Sequence, residues 1–417
     1  MTDSVSTGAG TEGAAQQGRA AQVPALRFPE YEGEWEEKRT GDFLVLFRKR
    51  VSASTKIPVY TSSRTGLRPQ RDHFDGQEIT NEGEYGVVPI GYFTYRHMSD
   101  DLTFKFNLNL VHDEIAVSKE YPVFTTKNLS SEFLHLKLNF SVSFQKFAAM
   151  QKLGGTRTRL YFKTLEDWRT LFPSLAEQKK IAAFLGVVDA KIAALRDRAA
   201  GLTRYKRGLM QALFSQRLRF TKPDGTPFPD WEEKRLGDLA TRSIVKNNNL
   251  EYQRVLTNSA VLGVIDQSDY FDKDIANSEN LAGYYVLKKG DFVYNPRISV
   301  SAPVGPIKRN DLGDGVMSPL YTVFRFKEEN TDFFNVFFGT TVWHKYMKAV
   351  ANYGARHDRM AITSGDLMNM PLPYPHPDEQ AKIAEVLSAM DAKIAAVTAQ
   401  LDKMQDFKKG LLQQMFV

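Results

Sequence analysis

The sequence predicts a mixed α+β protein built as an internal pseudo-dimer, with two globular units joined by two long helices that pair antiparallel. Three observations carry this. A long phrase is written twice, as "EQKKIAAFLGVVDAKIAA" from Glu177 and "EQAKIAEVLSAMDAKIAA" from Glu379. A shorter phrase also recurs, as "WEEKRTGDF" from Trp35 and "WEEKRLGDL" from Trp231. Both copies of the long phrase space their apolar residues in heptads, the signature of helix pairing.

The bulk properties fit that reading. A chain of 417 residues has room for two to four domains, and 42% apolar with 12% aromatic residues builds ordinary cores. No apolar run reaches 18 residues, so no membrane span is expected. The opening "MTDSVSTGAGTEGAAQQGRAAQ" has no aromatic residue and no apolar signal segment, and residues 1–24 read as a disordered arm. Cysteine is absent, which excludes disulfides, thiolate chemistry and Cys-ligated zinc. The seven His are scattered and form no HExxH, so no metal site is expected. A net charge of +6 and a pI near 9.1 suit a phosphate-rich partner without establishing one.

The repeat extends beyond the two phrases. Aligned without a gap, Glu177–Phe214 matches Glu379–Phe416 at Gln178/Gln380, Asp189/Asp391, Lys206/Lys408, Gly208/Gly410 and Phe214/Phe416 among other pairs. Each WEEKR phrase follows an Arg-Phe and a Pro/Gly/acidic turn, "RFPEYEGE" from Arg27 and "RFTKPDGTPFPD" from Arg219. Three fainter echoes keep their order between these landmarks. "GYFTY" at Gly91 matches "GDFVY" at Gly290, "SKEYPVF" at Ser118 matches "SPLYTVF" at Ser318, and "GTRTRL" at Gly155 matches "GARHDRM" at Gly354. Aromatic and β-branched runs punctuated by Gly, Pro, Asn and Asp predict short strands and turns, and "DFFNVFFGTTVWHKYMKAV" predicts a helical patch. The sequence thus predicts one domain fold written twice with different surfaces.

The seam of the first long helix comprises Ile181, Leu185, Val188, Ile192, Leu195, Ala199, Leu202, Leu209 and Leu213. The second has Ile383, Leu387, Met390, Ile394, Val397, Leu401, Met404, Leu411 and Met415. Steps of four and three alternate for about five heptads, and a lysine, Lys206 or Lys408, takes the same seam position in each. A helix of about 38 residues would span roughly 57 Å. Two readings remain: the helices pair with each other, or each packs on its own domain. Equivalent helices related by a two-fold axis that crosses them run antiparallel and hold two heads at opposite ends of a rod.

These openings, the "PSLAEQKKIA" and "PHPDEQAKIA" junctions, the helix ends "KRGLMQALF" and "KKGLLQQMF", and the two divergent segments resemble the specificity subunit of type I restriction–modification systems, from about Phe28 to Phe416. The resemblance implies that residues 25–172 and 217–375 are target-recognition domains, each reading one half of a bipartite, asymmetric double-stranded DNA target. It implies that helices 173–216 and 376–417 set the spacer and dock two methyltransferase subunits, with restriction/translocase subunits joining for cleavage. It implies no catalytic residue and no cofactor on this chain, S-adenosylmethionine being held by the methyltransferase partner, and a bacterial or archaeal cytosolic setting away from membranes. The N-terminal arm is no marked family feature, and the first variable segment departs further from the family's wording than the second.

Arg suits guanine edges and phosphates, and Asn suits adenine, so residues of these types are the candidate DNA contacts. One group is Arg157 and Arg159 in the first unit, with Arg356, His357 and Arg359 in the second. A solvated loop or an internal ion pair is the competing reading. The other group is Asn295, Arg297, Ser299 and Ser301 of "YNPRISVS", with Tyr95, Arg96 and His97 of "YRHMSD" as counterpart. Here a purely structural Asn-Pro turn competes. Cations outnumber acids on the first long helix and balance them on the second, which a solvated face also explains.

Two phrases imitate enzymes. "YNPR" at Tyr294 lacks the second Pro and the aromatic of an amino-methyltransferase box, and no Gly-rich cofactor loop precedes it. "PDWEEK" at Pro229 crowds its carboxylates along one stretch, where they cannot converge on one metal. Two functions from other classes stay open at this point: a coiled-coil scaffold that ignores DNA, and a stand-alone enzyme acting on DNA.

Overall fold

In the computed structural model, which describes residues 23–73, 83–152, 156–269, 278–352 and 358–416, each WEEKR phrase is a strand. Glu36–Arg39 pairs antiparallel with Arg169–Phe172, and Glu232–Arg235 pairs with Pro371–Tyr374. The partner in each case is the last strand before a long helix. The start and the end of each globular segment are therefore zipped together, and the helix departs from that zipper.

The buried polar contacts explain why the phrases carry these letters. In the first unit Glu177, 1% exposed, receives Arg27 Nε and Nη2 at 2.8 Å each and Trp35 Nε1 at 3.3 Å. In the second, Glu379, 0% exposed, receives Arg219 Nε at 3.1 Å, Arg219 Nη2 at 2.8 Å and Trp231 Nε1 at 3.0 Å. The carboxylate holds each arginine's proton more tightly than usual. The next residue completes the joint: Gln178 Nε2 donates to the Pro173 carbonyl and Gln380 Nε2 to the Pro375 carbonyl, both at 2.9 Å.

Each unit then builds a four-stranded antiparallel sheet of the same order. It runs Leu44–Phe47, Val123–Thr126, Phe93–Tyr95, Phe106–Leu108 in the first and Ala240–Ser243, Thr322–Phe326, Phe292–Tyr294, Ile307–Arg309 in the second. Two of the three faint echoes sit on paired strands of these sheets. Phe93 faces Phe124 across the pair with rings 4.8 Å apart, and Phe292 faces Phe324 at 5.7 Å. Beside the sheet lies a hairpin, Tyr60–Ser63 with Gly66–Pro69 or Leu256–Ser259 with Gly263–Asp266. The first unit also has a three-stranded sheet of Glu114–Ser118, Glu84–Pro89 and Arg50–Ser52, and the second has its counterpart in Tyr285–Leu287 paired with Gly315–Met317. The predicted helical patch is two helices, Asp332–Phe338 and His344–Val350, broken at Gly339.

The long helices run Leu175–Phe214 and Pro377–Met415. The chain divides into units inside them, not at their ends. One unit holds residues up to Arg196 with Ala399–Val417, and the other holds Asp197–Thr398. Each unit thus contains the first half of one long helix and the last half of the other, and inside it the two halves run antiparallel. In the first, Ile181, Leu185, Val188 and Ile192 share a core with Leu411, Leu412, Met415 and Phe416, with Leu401 and Met404 packed against it. In the second, Ile383 and Leu387 share a core with Leu213, with Leu209 alongside. Every seam position named from the sequence is buried or half-buried, including Leu195, Leu202, Met390, Ile394 and Val397. The seam lysines meet aspartates of the opposing helix: Lys408 Nζ lies 2.5 Å from Asp189 Oδ1 and Lys206 Nζ lies 2.5 Å from Asp391 Oδ1. Such part-exposed pairs contribute only about 0.2–1 kcal/mol, so their main effect is on register. Both readings of the helices hold at once. Each pairs with the other and also packs on a globular core, as when Phe416 meets Phe133 at 5.4 Å and Phe214 meets Phe333 at 5.7 Å.

The N-terminal segment takes up the chain where the second helix ends. Leu26 N donates to the Gln414 carbonyl, as Leu218 N donates to that of Ala212 after the first helix. The arm expected over 1–24 falls outside the described residues as far as residue 22. No helix among the described residues is long and apolar enough to cross a membrane.

One core residue breaks the symmetry. Trp35 meets Phe133 and Trp231 meets Phe333, each at 6.1 Å, so Lys137 stands one turn on where the other unit has buried Phe337. Lys137 is 0% exposed, and its Nζ has no hydrogen-bond partner among the described residues. It lies 5.6–6.0 Å from the rings of Trp35, Phe172 and Trp168. Burial pushes it down from its ordinary 10.5 to about 7. Between those two pH values the unfolded chain holds a proton that the folded chain has released, so stability rises with pH across the window. Lys137→Met is expected to stabilise the protein by on the order of 2–4 kcal/mol at pH 6–7, with the gain shrinking towards pH 10. Denaturant titrations across pH check this; a gain that does not vary with pH would contradict it.

Candidate nucleic-acid interface

In the first unit the two groups of candidate residues, about 60 positions apart, lie on one small ribbon. Met98–Ser99 pairs antiparallel with Thr158–Arg159, and Leu160 N donates to the His97 carbonyl at 2.8 Å. Arg96 and Arg159 are exposed beside this ribbon. Arg157 is exposed too, but its Nε is engaged by Asp100 Oδ1 at 2.9 Å. The His97 ring stacks on exposed Tyr161 at 5.7 Å, with its Nδ1 buried and without a hydrogen-bond partner among the described residues.

A cleft of about 730 Å³ opens next to the ribbon. Arg64 and Arg68 of the hairpin line it together with Arg96, His97, Asp100 and Lys105. Arg64 Nη2 is held 2.8 Å from Asp101 Oδ1. Two neighbouring aspartates therefore aim two arginines, and an anion displacing them would find the guanidiniums already presented. Lys105 sits where burial, and then the positive Lys408, lower its affinity for a proton.

The second unit repeats the arrangement with other letters. Arg297 bridges Arg359 through the backbone, Met360 N donates to the Pro296 carbonyl at 2.9 Å, and Ile298 N donates to that of Asp358 at 3.0 Å. Arg297 and Ser299 are exposed, whereas Arg359 is half-buried with its Nε 3.7 Å from Asp358 Oδ2. Ser299 Oγ lies 3.1 Å from Ser301 Oγ and accepts from Ala302 N, which ties this loop into a turn. The turn needs Gly305: its φ is +77°, and a Cβ there would stand 2.1 Å from the Asn295 carbonyl oxygen. Lys308, at the register position of Asn107, sits in a similar setting, its affinity for a proton lowered by burial and then by Lys206. Arg356 and His357 lie outside the described residues.

Two candidates need correction. Tyr95 is 0% exposed and its hydroxyl donates to the Leu160 carbonyl at 3.0 Å, with burial raising its pKa. Asn295 is 8% exposed; its Nδ2 donates to the Asn258 carbonyl at 2.9 Å and its Oδ1 accepts from Arg297 N at 3.0 Å. Both brace the loops from beneath and present no polar atom to a ligand. Sequence reasoning missed the hairpins, including Arg64, Arg68 and the exposed Val261 and Leu262. The available signal was a tight Ser-Arg-Thr-Gly turn between two short strands.

Comparison with known proteins agrees with this doubled architecture. The family model for the type I restriction modification DNA specificity domain matches twice, over residues 32–204 and 229–405. The type I restriction enzyme MjaVIII specificity subunit of Methanocaldococcus jannaschii is 25% identical over 433 residues, covering 94% of this chain and 93% of that protein. The crystal structure of the type I restriction-modification system S subunit from M. genitalium superposes with a TM-score of 0.55 at 12% identity, covering 95% of this chain and 99% of the other. A chain from a structure of the assembly and conformational transition of the type I R-M system gives 0.51 at 16% identity, covering 92% and 97%. These two share the fold, two repeated domains with long helices between them. With both of its halves matched, the chain belongs to the type I restriction–modification DNA specificity family, as a specificity component and not a catalytic one.

Proposed function

We propose that each unit reads one half of a bipartite, asymmetric DNA target, and that the paired helices set the spacer and dock two methyltransferase subunits. The domain limits that go with this are 25–172 and 217–375 for the readers, and 173–216 and 376–417 for the helices. Restriction/translocase subunits would join the same complex in the cytoplasm, and S-adenosylmethionine would sit on the methyltransferase.

One observation carries the reading. In both units, segments about 60 residues apart meet at one ribbon edge and bring arginines there, while the residues around them differ. A shared frame with unlike edges suits two readers of two unlike sequences. Arginine supplies both phosphate attraction and bidentate contact with guanine.

Two experiments test it. Exchanging the segment from Trp231 to Pro373 for that of a relative should change one half of the methylated motif and leave the other half unchanged; a change in both halves would refute independent reading. Deleting one heptad from both helices shortens each by about 10 Å, or about three base pairs of spacer. An active variant with unchanged spacing would refute the helices' role as a ruler.

A further inference from the structure

The two hairpins are equivalent in register and opposite in chemistry. Each closes where a serine faces a glycine, Ser63 against Gly66 and Ser259 against Gly263. The first tip is Arg64-Thr65, and the second is Ala260-Val261-Leu262. Val261 is 76% exposed and Leu262 64%. Ser259 Oγ accepts from Val261 N at 3.3 Å and from Leu262 N at 3.2 Å, so the tip has a fixed backbone while its aliphatic side chains stay in water. The next loop carries fully exposed Val300, three residues after Arg297. Both loops leave the fold from the same point, where Asn295 Nδ2 donates to the Asn258 carbonyl at 2.9 Å. The loops that carry the exposed aliphatic groups and Arg297 are thus tied together at their roots.

We propose that the Val261–Leu262 tip reads the second half-site through thymine methyl groups in the major groove, where the first unit offers the guanidinium of Arg64 to a purine's acceptor edge. The inference rests on the reading that each unit contacts one half-site. A two-stranded ribbon fits the major groove, about 12 Å wide. The thymine C5-methyl is the apolar group that the major groove presents at base edges. Valine and leucine donate and accept no hydrogen bonds, so at a base edge the contact that discriminates is with the thymine methyl.

Deoxyuridine removes that methyl and nothing else. The full chain, assembled with its methyltransferase subunits, is titrated against duplexes in which every thymine of one half-site is replaced in both strands. The second half-site is the half that changes when residues 231–373 are exchanged. Uracil there is expected to weaken binding about fourfold per contacted methyl. The double variant Val261→Ser, Leu262→Ser should bind the unmodified duplex about as weakly and no longer respond to uracil. Both positions lie in solvent, so the fold should tolerate the changes. A wild-type complex indifferent to uracil in the second half overturns the inference while half-site reading stands. So does a second half-site without an A·T pair, or a double variant that still responds to uracil. A complex that does not prefer the gapped motif over unrelated DNA overturns both.

Discussion

A buried carboxylate at the first turn of each long helix holds this architecture together. Glu177 and Glu379 are charged groups that have left water, and each needs its arginine and its tryptophan N–H to stay there. Removing one partner of such a buried pair costs about 3–5 kcal/mol, because the other charge is left uncompensated. The constraint reaches far along the chain. Arg27 precedes Glu177 by 150 residues and Arg219 precedes Glu379 by 160, so each clamp fastens the beginning of a globular segment to the helix at its end. The strand zipper and the sheet core then have a fixed base.

The same constraint explains what the sequence made legible. Residues that serve the clamp, the zipper and the seam must be alike in both copies, because they meet the same neighbours. Arg-Phe, WEEKR, the EQ pair and the seam lysines therefore stand out as repeats. The heptad spacing gave the pairing of the helices, and equivalence of the copies gave its antiparallel sense. Register came from the structure, through Asp189 with Lys408 and Asp391 with Lys206.

The candidate interface was only half legible. Arg96, Arg159 and Arg297 were singled out by residue type, and they do lie exposed at the ribbon edges. Tyr95 and Asn295 were misread because a strand end looks the same in sequence whether its last polar group points into the fold or out of it. The hairpin tips escaped notice for the opposite reason. Arg64-Thr65 and Val261-Leu262 share no letters, so nothing in the repeat marks them as equivalent. Divergence at such tips is what two different targets would require. The interior tolerates it as well, as Lys137 and Phe337 at matching positions illustrate.

On the proposed function, this chain selects a gapped DNA motif for modification. Mapping modified bases across the host genome, with the gene intact and with it deleted, tests that most directly. Methylation at one bipartite, asymmetric motif is expected to disappear on deletion and to return when the gene is restored. An unchanged methylation map, in a host whose methyltransferase partner is expressed and active, would contradict it.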